Sequence, residues 1–340
     1  MSEQNFIIET KSLCKSFPTI RSIFDIIRKE PQKYVRAVDD VSLEIVKGEN
    51  IGLVGESGCG KSTFARSIIR LYEPTSGQVF LEGKDFTSLS ANELRKKRKD
   101  IQMIFQDPYL SLNPRMSVKE MLIEALKYHN ICEKNEMDNK VNELLNMVGL
   151  SRNTSDRFPG EFSGGQRQRI GIARALTVEP KVLLADEPVS SLDVSIQAQI
   201  INLLDDLRKK LNLTIMFISH DLGVVKYVTN RVAVMYLGKI VEIGPTTELF
   251  NNPGHPYTKI LINATPNLDP RIRSDEIVID GEIPSPINVP SGCRFHPRCP
   301  YCVDICKEVE PETRKVGLDR ILACHRPLTE NLRGPLEKQA

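Results

Sequence analysis

The chain has 340 residues, 40% of them apolar, enough for one large or two modest globular domains with a sizeable core. Its 46 lysines and arginines against 44 acidic residues leave a formal net charge of only +2, which gives no electrostatic case for nucleic acid as the main partner. No run approaches the roughly eighteen apolar residues of a membrane span, and MSEQNFIIETKS has no cationic stretch leading into an apolar core, so neither a membrane helix nor a secretory leader is expected.

A first strand leads to LCKSFP, followed by the insertion IRSIFDIIRKEPQK and then Tyr34. Apolar NIGLVG, Asn50 to Gly55, predicts a buried strand entering GESGCGKS, and TFARSIIRL, Thr63 to Leu71, carries helical periodicity away from it. The string fits Gly-x-x-x-x-Gly-Lys-Ser. Its glycines let backbone N–H groups close around phosphates, Lys61 neutralises β/γ charge, and the Ser62 hydroxyl reaches Mg²⁺. The candidate nucleotide-binding residues here are Gly55, Glu56, Ser57, Gly58, Cys59, Gly60, Lys61, Ser62 and Thr63. A chance glycine turn before Lys-Ser would not bring the strand and helix flanks with it.

GQVFLEG followed by IQMIFQD places Gln106 at a further strand end, where a polar side chain can sense a γ-phosphate or a Mg²⁺-bound water. ELRKKRKD, Glu93 to Asp100, reads as a solvated basic helix face. From Asp107 to Val178 the pattern is mainly helical, with VKEMLIEALKY and KVNELLNMVGL as amphipathic segments. The turn-rich DPYLSLNPRMSV is equally a meeting place for a transmembrane partner and a loop with none. In FSGGQRQRIGIARAL, Phe162 to Leu176, a glycine pair before a helix lets N–H groups and the helix N-terminus face a phosphate, besides capping the helix. KVLLADEP ends a strand in two carboxylates, Asp186 for Mg²⁺ and Glu187 to orient or deprotonate an attacking water. SLD follows at Ser191 to Asp193, and MFISHD delivers His220 at another strand end. Alone, that histidine would be read as structural.

In this order, phosphate loop, Gln106, SGGQ, Asp186-Glu187, SLD and His220, the chain resembles the ATP-binding cassette (ABC) ATPases over roughly Glu9 to Ile262. The resemblance implies an α/β P-loop NTPase with a RecA-like core, an antiparallel β-subdomain and a helical subdomain at about 107–178. It also implies a head-to-tail dimer in which each ATP is held by one phosphate loop and by Ser163, Gly164, Gly165 and Gln166 of the opposite cassette. Glu187 is then the candidate general base, with Lys61, Gln106 and His220 completing the catalytic set, and Ser62, Gln106 and Asp186 serve Mg²⁺. Adenine usually stacks on an upstream aromatic residue. Phe17 matches that setting, Tyr34 is the alternative, and either ring serves equally as core packing. Where the family usually has Leu before SGGQ this chain has Phe162, another apolar residue.

Beyond Ile262 the chain turns proline-rich in NATPNLDP and GEIPSPINVPSG. NNPGHPYTKILINATP, Asn251 to Pro266, CRFHPRCPYC and QDPYLSLNPR are similar to the peptide-importer ATPases, and GESGCGKST is more like the second of their two paired ATPases. The expected division is a cassette over 1–262 and a cysteine-bearing extension over 263–340. The resemblance implies a second ABC ATPase, two transmembrane permease subunits and an extracellular substrate-binding protein as partners, no nucleic acid, and a place on the cytoplasmic face of the membrane. Its cargo would be di- or oligopeptides, with nickel chelates, glutathione or glycosides as alternatives. A soluble ABC ATPase acting on DNA or ribosomes is the reading from another class, against which stand the single cassette, the near-neutral charge and the tail.

Of 8 cysteines, Cys14, Cys59 and Cys132 are scattered and read as free thiols. Cys293, Cys299, Cys302, Cys306 and Cys324 crowd into the tail, where a cytosolic location favours metal binding over disulfides. Zinc takes four thiolate or imidazole ligands, with His296 and His325 as competitors, and an iron–sulfur cluster takes four thiolates. Peptide-importer relatives that carry a 4Fe–4S cluster have the spacing C-x5-C-x6-C and a more distant cysteine, which implies Cys293, Cys299, Cys306 and Cys324. The contiguous set Cys293, Cys299, Cys302 and Cys306 is chemically possible too, as are zinc and unligated thiols.

Overall fold

In a computed structural model of the chain, residues 6–21, 27–264, 282–317, 319–329 and 332 are described. Most of NATPNLDP and residues 22–26 of the early insertion lie outside the described residues. The chain forms two compact units: a first of Met1–Ile7, Ile45–Asn50 and Ser88–Ile218, and a second of Ile8–Glu44, Ile51–Thr87 and Ser219–Ala340.

The second unit holds most of β1 (Phe6–Pro18), β2 (Tyr34–Val46) and β3 (Asn50–Val54), then α1 (Lys61–Ile68), β4 (Ser76–Leu81) and β5 (Lys84–Asp85). One sheet runs in the order β2-β1-β4-β5, with β1 antiparallel to β4 and Ile8 opposite Leu81. Val41, Leu43 and Ile45 of β2 are buried while Ser42 and Glu44 between them are exposed, the period-two signature of a sheet covered on one face. β3 is instead buried at every position, the polar Asn50 included, as a strand covered on both faces must be.

The first unit holds α2 (Ala91–Lys97), β6 (Ile101–Ile104), α3 (Pro108–Ser111), α4 (Val118–His129) and α5 (Met137–Met147). It continues through α6 (Gly164–Leu176), β7 (Val182–Asp186), α7 (Val194–Leu211) and β8 (Thr214–Ser219). β6, β7 and β8 are parallel neighbours, with Ile101 opposite Val182 and Val182 opposite Thr214. The basic run is a helix capped by Ser90 and Glu93 that buries Leu94. The turn-rich DPYLSLNPRMSV contains the one-turn helix α3, because Pro108 suits a first helical position and the Asp107 carboxylate accepts from the Tyr109 N–H at 2.7 Å.

The chain returns to the second unit with α8 (Leu222–Val228), β9 (Arg231–Tyr236), β10 (Lys239–Pro245), α9 (Thr246–Asn251) and α10 (Pro256–Asn263). It ends in α11 (Asp304–Glu308), β11 (Arg314–Lys315) and β12 (Ile321–Leu322). Five strands of this unit run in the order β11-β12-β10-β9-β3, with β3 parallel to β9 and the other pairs antiparallel. The described part of the tail is therefore no separate body: β12 pairs with β10, and Phe295 packs on Tyr236 and Tyr257 at centroid distances of 5.2 and 5.3 Å. No helix among the described residues is long and apolar enough to cross a membrane.

Candidate functional site

In the second unit, β3 runs into the phosphate loop and α1 leaves it, with Gly60 at its N-cap in left-handed geometry (φ 110°). A Cβ on Gly60 would lie 2.0 Å from the Ala37 carbonyl oxygen, and one on Gly55 2.2 Å from that of Met235, so both positions require glycine. Lys61 folds its ammonium into its own loop, donating to the carbonyls of Gly55 at 2.7 Å and Glu56 at 2.9 Å. Cys59 lies below the loop at 3.8 Å from that ammonium, and burial pushes its thiol up. Ser57 and Gly58 form the exposed tip, and Ser62 and Thr63 stand half-buried on the first turn of α1. A glycine-bearing loop closed around a buried lysine at a helix N-terminus suits an anion.

Phe17 is half-buried in the same unit, edge-on to Tyr72 at 5.3 Å with the Lys15 ammonium 4.9 Å over its ring, whereas Tyr34 is 49% exposed. His220 is exposed immediately after β8, and Asp221 caps α8 by accepting from the Gly223 and Val224 N–H groups at 2.8 and 3.3 Å.

In the first unit, Asp186 is fully buried at the end of β7. Glu187 turns off the strand line in a left-handed conformation (φ 45°), its N–H held by the Ile218 carbonyl at 3.0 Å. The Gln106 amide donates to its carboxylate at 2.8 Å, so two of the sequence candidates meet directly. Ser163 caps α6: its hydroxyl accepts from the Gln166 N–H at 3.4 Å, and the Gln166 side chain accepts from the Ser163 N–H at 3.0 Å. The glycines that follow are set by packing, since a Cβ on Gly164 would meet Leu192 at 3.3 Å and one on Gly165 would meet Ile196 at 2.5 Å. The SLD segment and α7 thus force α6 to begin with bare backbone.

The tail supplies residues that motif reading missed. Arg298 grips the Glu56 carboxylate through two bonds of 2.7 and 2.9 Å, and the Tyr257 hydroxyl accepts from the Glu56 N–H at 2.8 Å. The Glu56 carboxylate raises the already high pKa of Arg298, keeping it charged. The signal was present in NNPGHPYTKIL and CRFHPRCPYC, which contain both residues, but their target fifty-six residues into the chain was not readable.

Cys293, Cys299, Cys306 and Cys324 line one cavity of about 10 Å³, and Cys302 is not in its lining. Burial pushes the thiol of Cys293 up to about 11, that of Cys299 up to about 12, and that of Cys324 higher as well. Backbone N–H groups bond to these sulfurs and act the other way: Phe295 and His296 on Cys293, Tyr301 on Cys299, and Arg326 on Cys324. Among the described residues no three histidine, cysteine or acidic side chains already stand in metal-holding geometry. The donor chemistry therefore fits a thiolate-bound centre, while the cavity as it stands has room for about one water.

Residues 38–190 match the family described as ABC transporter, and residues 241–306 match the oligopeptide/dipeptide transporter C-terminal region. The chain is 50% identical over 327 residues to the oligopeptide transport ATP-binding protein AppF of Bacillus subtilis, covering 95% of this chain and 98% of the relative. It is 49% identical to the oligopeptide transport ATP-binding protein OppF of Salmonella typhimurium, covering 90% and 94%. Among solved structures it is similar to the ATP-binding cassette MJ0796, dimeric in a post-hydrolysis state bound to ADP and Pi (TM-score 0.61, 27% identity, 70% of this chain and 98% of that one). It is also similar to CbiO1 from Clostridium perfringens, part of an ABC transporter complex (TM-score 0.61, 28% identity, 73% and 91%).

Proposed function

Because the chain belongs to the ABC transporter ATP-binding proteins, with the C-terminal region of the oligopeptide/dipeptide group, we propose that it is the ATP-hydrolysing subunit of a membrane importer of di- and oligopeptides. The observation that carries this reading is the near full-length 50% identity to an oligopeptide transport ATP-binding protein, on a chain whose phosphate loop is built with Lys61 inside it.

Lys61 exchanges its two loop carbonyls for the β/γ-phosphates, a trade of neutral acceptors for charged ones that favours the nucleotide. Glu187, aimed by its backbone and by Gln106, takes the proton of the attacking water, and His220 positions that water and the γ-phosphate. Mg²⁺ supplies charge neutralisation when bound, and Ser62, Gln106 and Asp186 offer it the oxygen donors it prefers. Ser163, Gly164, Gly165 and Gln166 present the start of α6 to ATP held by a second cassette, so that ATP closes the pair and hydrolysis releases it. Phe17 is our candidate for adenine.

The partners of this reading are a second ABC ATPase, two permease subunits and, through them, an extracellular binding protein, with this chain on the cytoplasmic face. Affinity purification of the tagged chain from mildly solubilised membranes of its own host, with mass spectrometry of everything retained, tests it. Recovery of another cassette ATPase and two multi-span proteins is expected; ribosomal or DNA-repair partners from the soluble fraction alone would overturn the transport reading.

We further propose that Cys293, Cys299, Cys306 and Cys324 bind a 4Fe–4S cluster that clips the tail. That these four line one cavity while Cys302 is absent from its lining supports this set over the contiguous one. Anaerobic purification with iron and sulfide assay is the test, and one equivalent of zinc without iron would sink it.

A further inference from the structure

His255 is the N-cap of α10 and only 1% exposed, yet its Nε2 has no hydrogen-bond partner among the described residues. Leaving a buried donor unpaired forfeits its hydration with nothing in return, so such an atom calls for an acceptor. Its Nδ1 accepts from the Tyr257 N–H at 3.0 Å, which assigns the proton of the neutral ring to Nε2. Burial keeps the ring neutral, with a pKa lowered to about 3.

The residue is also held in place. The N–H groups of Gly254 and His255 donate to the buried Glu242 carboxylate at 2.8 and 3.0 Å, and Arg320 grips the same carboxylate at 2.5 Å. Phe295 packs against the imidazole at a centroid distance of 5.8 Å. His255 lines the cavity of Cys293, Cys299, Cys306 and Cys324. Each of the other two histidines of that lining has one ring nitrogen engaged: His296 Nδ1 lies 3.0 Å from the Cys293 carbonyl oxygen and His325 Nε2 2.8 Å from that of Val309.

We propose that His255 is a positioning residue for the centre held by the four cysteines, its Nε2–H donating a hydrogen bond to a cysteine thiolate or cluster sulfide there. This inference rests on the iron–sulfur reading above. Sulfur in such centres is electron-rich, and a hydrogen bond to it favours the reduced, more negative state.

The test uses the full chain, reconstituted anaerobically with iron and sulfide, as wild type, His255→Gln and His255→Leu. Iron and sulfide content are read first, then the midpoint potential by spectroscopically monitored titration. Wild type is expected to hold about four irons and four sulfides. Leucine should shift the one-electron equilibrium about tenfold toward the oxidised form, about 59 mV more negative. Glutamine, whose amide N–H reaches the place of Nε2, should restore most of that shift. A leucine variant that loses iron while the glutamine variant keeps it also supports the donor. An unchanged potential in the leucine variant with full iron overturns the His255 assignment and leaves the cluster standing, as when a buried water satisfies Nε2. A glutamine variant indistinguishable from leucine overturns it as well. Zinc without iron in the wild type removes the cluster reading and the inference with it.

Discussion

Glu187 and Gly165 show how single positions bear the proposed chemistry. The left-handed backbone of Glu187 and the Gln106 amide at 2.8 Å aim one carboxylate. Glu187→Gln keeps the shape and removes the base. Phosphate release by the assembled transporter should fall by about 10²–10⁴-fold with ATP binding retained, and a wild-type rate would remove Glu187 from its role. At Gly165, alanine would place a Cβ 2.5 Å from Ile196 Cγ2, an overlap that costs about 1–3 kcal/mol by displacing α7 from α6. Denaturant titration should show that loss in Gly165→Ala and its partial recovery when Ile196→Ala is added, since the two positions touch. Additive losses would mean the glycine is there for another reason.

Among the elements, the link between the tail and the phosphate loop matters most. Arg298 is 8% exposed and binds Glu56 through a two-bond fork that lysine cannot reproduce, while Tyr257 on α10 accepts from the Glu56 N–H. Arg298→Ala would leave a largely buried carboxylate without its counter-charge. We expect a stability loss of about 2–3 kcal/mol, discounted from a fully buried pair because Glu56 keeps some solvent, together with weaker ATP binding. Arg298→Lys should fall between alanine and wild type. Calorimetric ATP titration beside thermal unfolding separates the two effects: unchanged ATP affinity in a destabilised Arg298→Ala protein would show that the tail braces the fold without steadying the loop.

For the whole molecule, no helix among the described residues is long and apolar enough to cross a membrane, and the chain's likeness to peptide-importer ATPases implies membrane permease partners. Its ATPase rate should accordingly rise when it is joined with permeases and a second cassette and supplied with peptide-loaded binding protein, and an equal rate for the lone chain would argue against coupling. The ATP-site motifs were legible because each is short, contiguous in sequence and tied to one local geometry. GESGCGKS demands a strand and a helix beside it, SGGQ opens a helix, and KVLLADEP reads as a buried strand with its acids at the end. Even the cysteine spacing was visible. Spacing alone left Cys302 beside Cys324, because a sulfur's neighbours depend on how the tail folds back: β12 pairs with β10, and the cavity takes in Cys324 and passes over Cys302. The partners of Glu56 and the buried imidazole of His255 were hidden for the same reason. Local order follows from interactions a few residues apart, but a side chain more than two hundred positions away is brought to the phosphate loop only by burial of Tyr236, Tyr257 and Phe295 in one core.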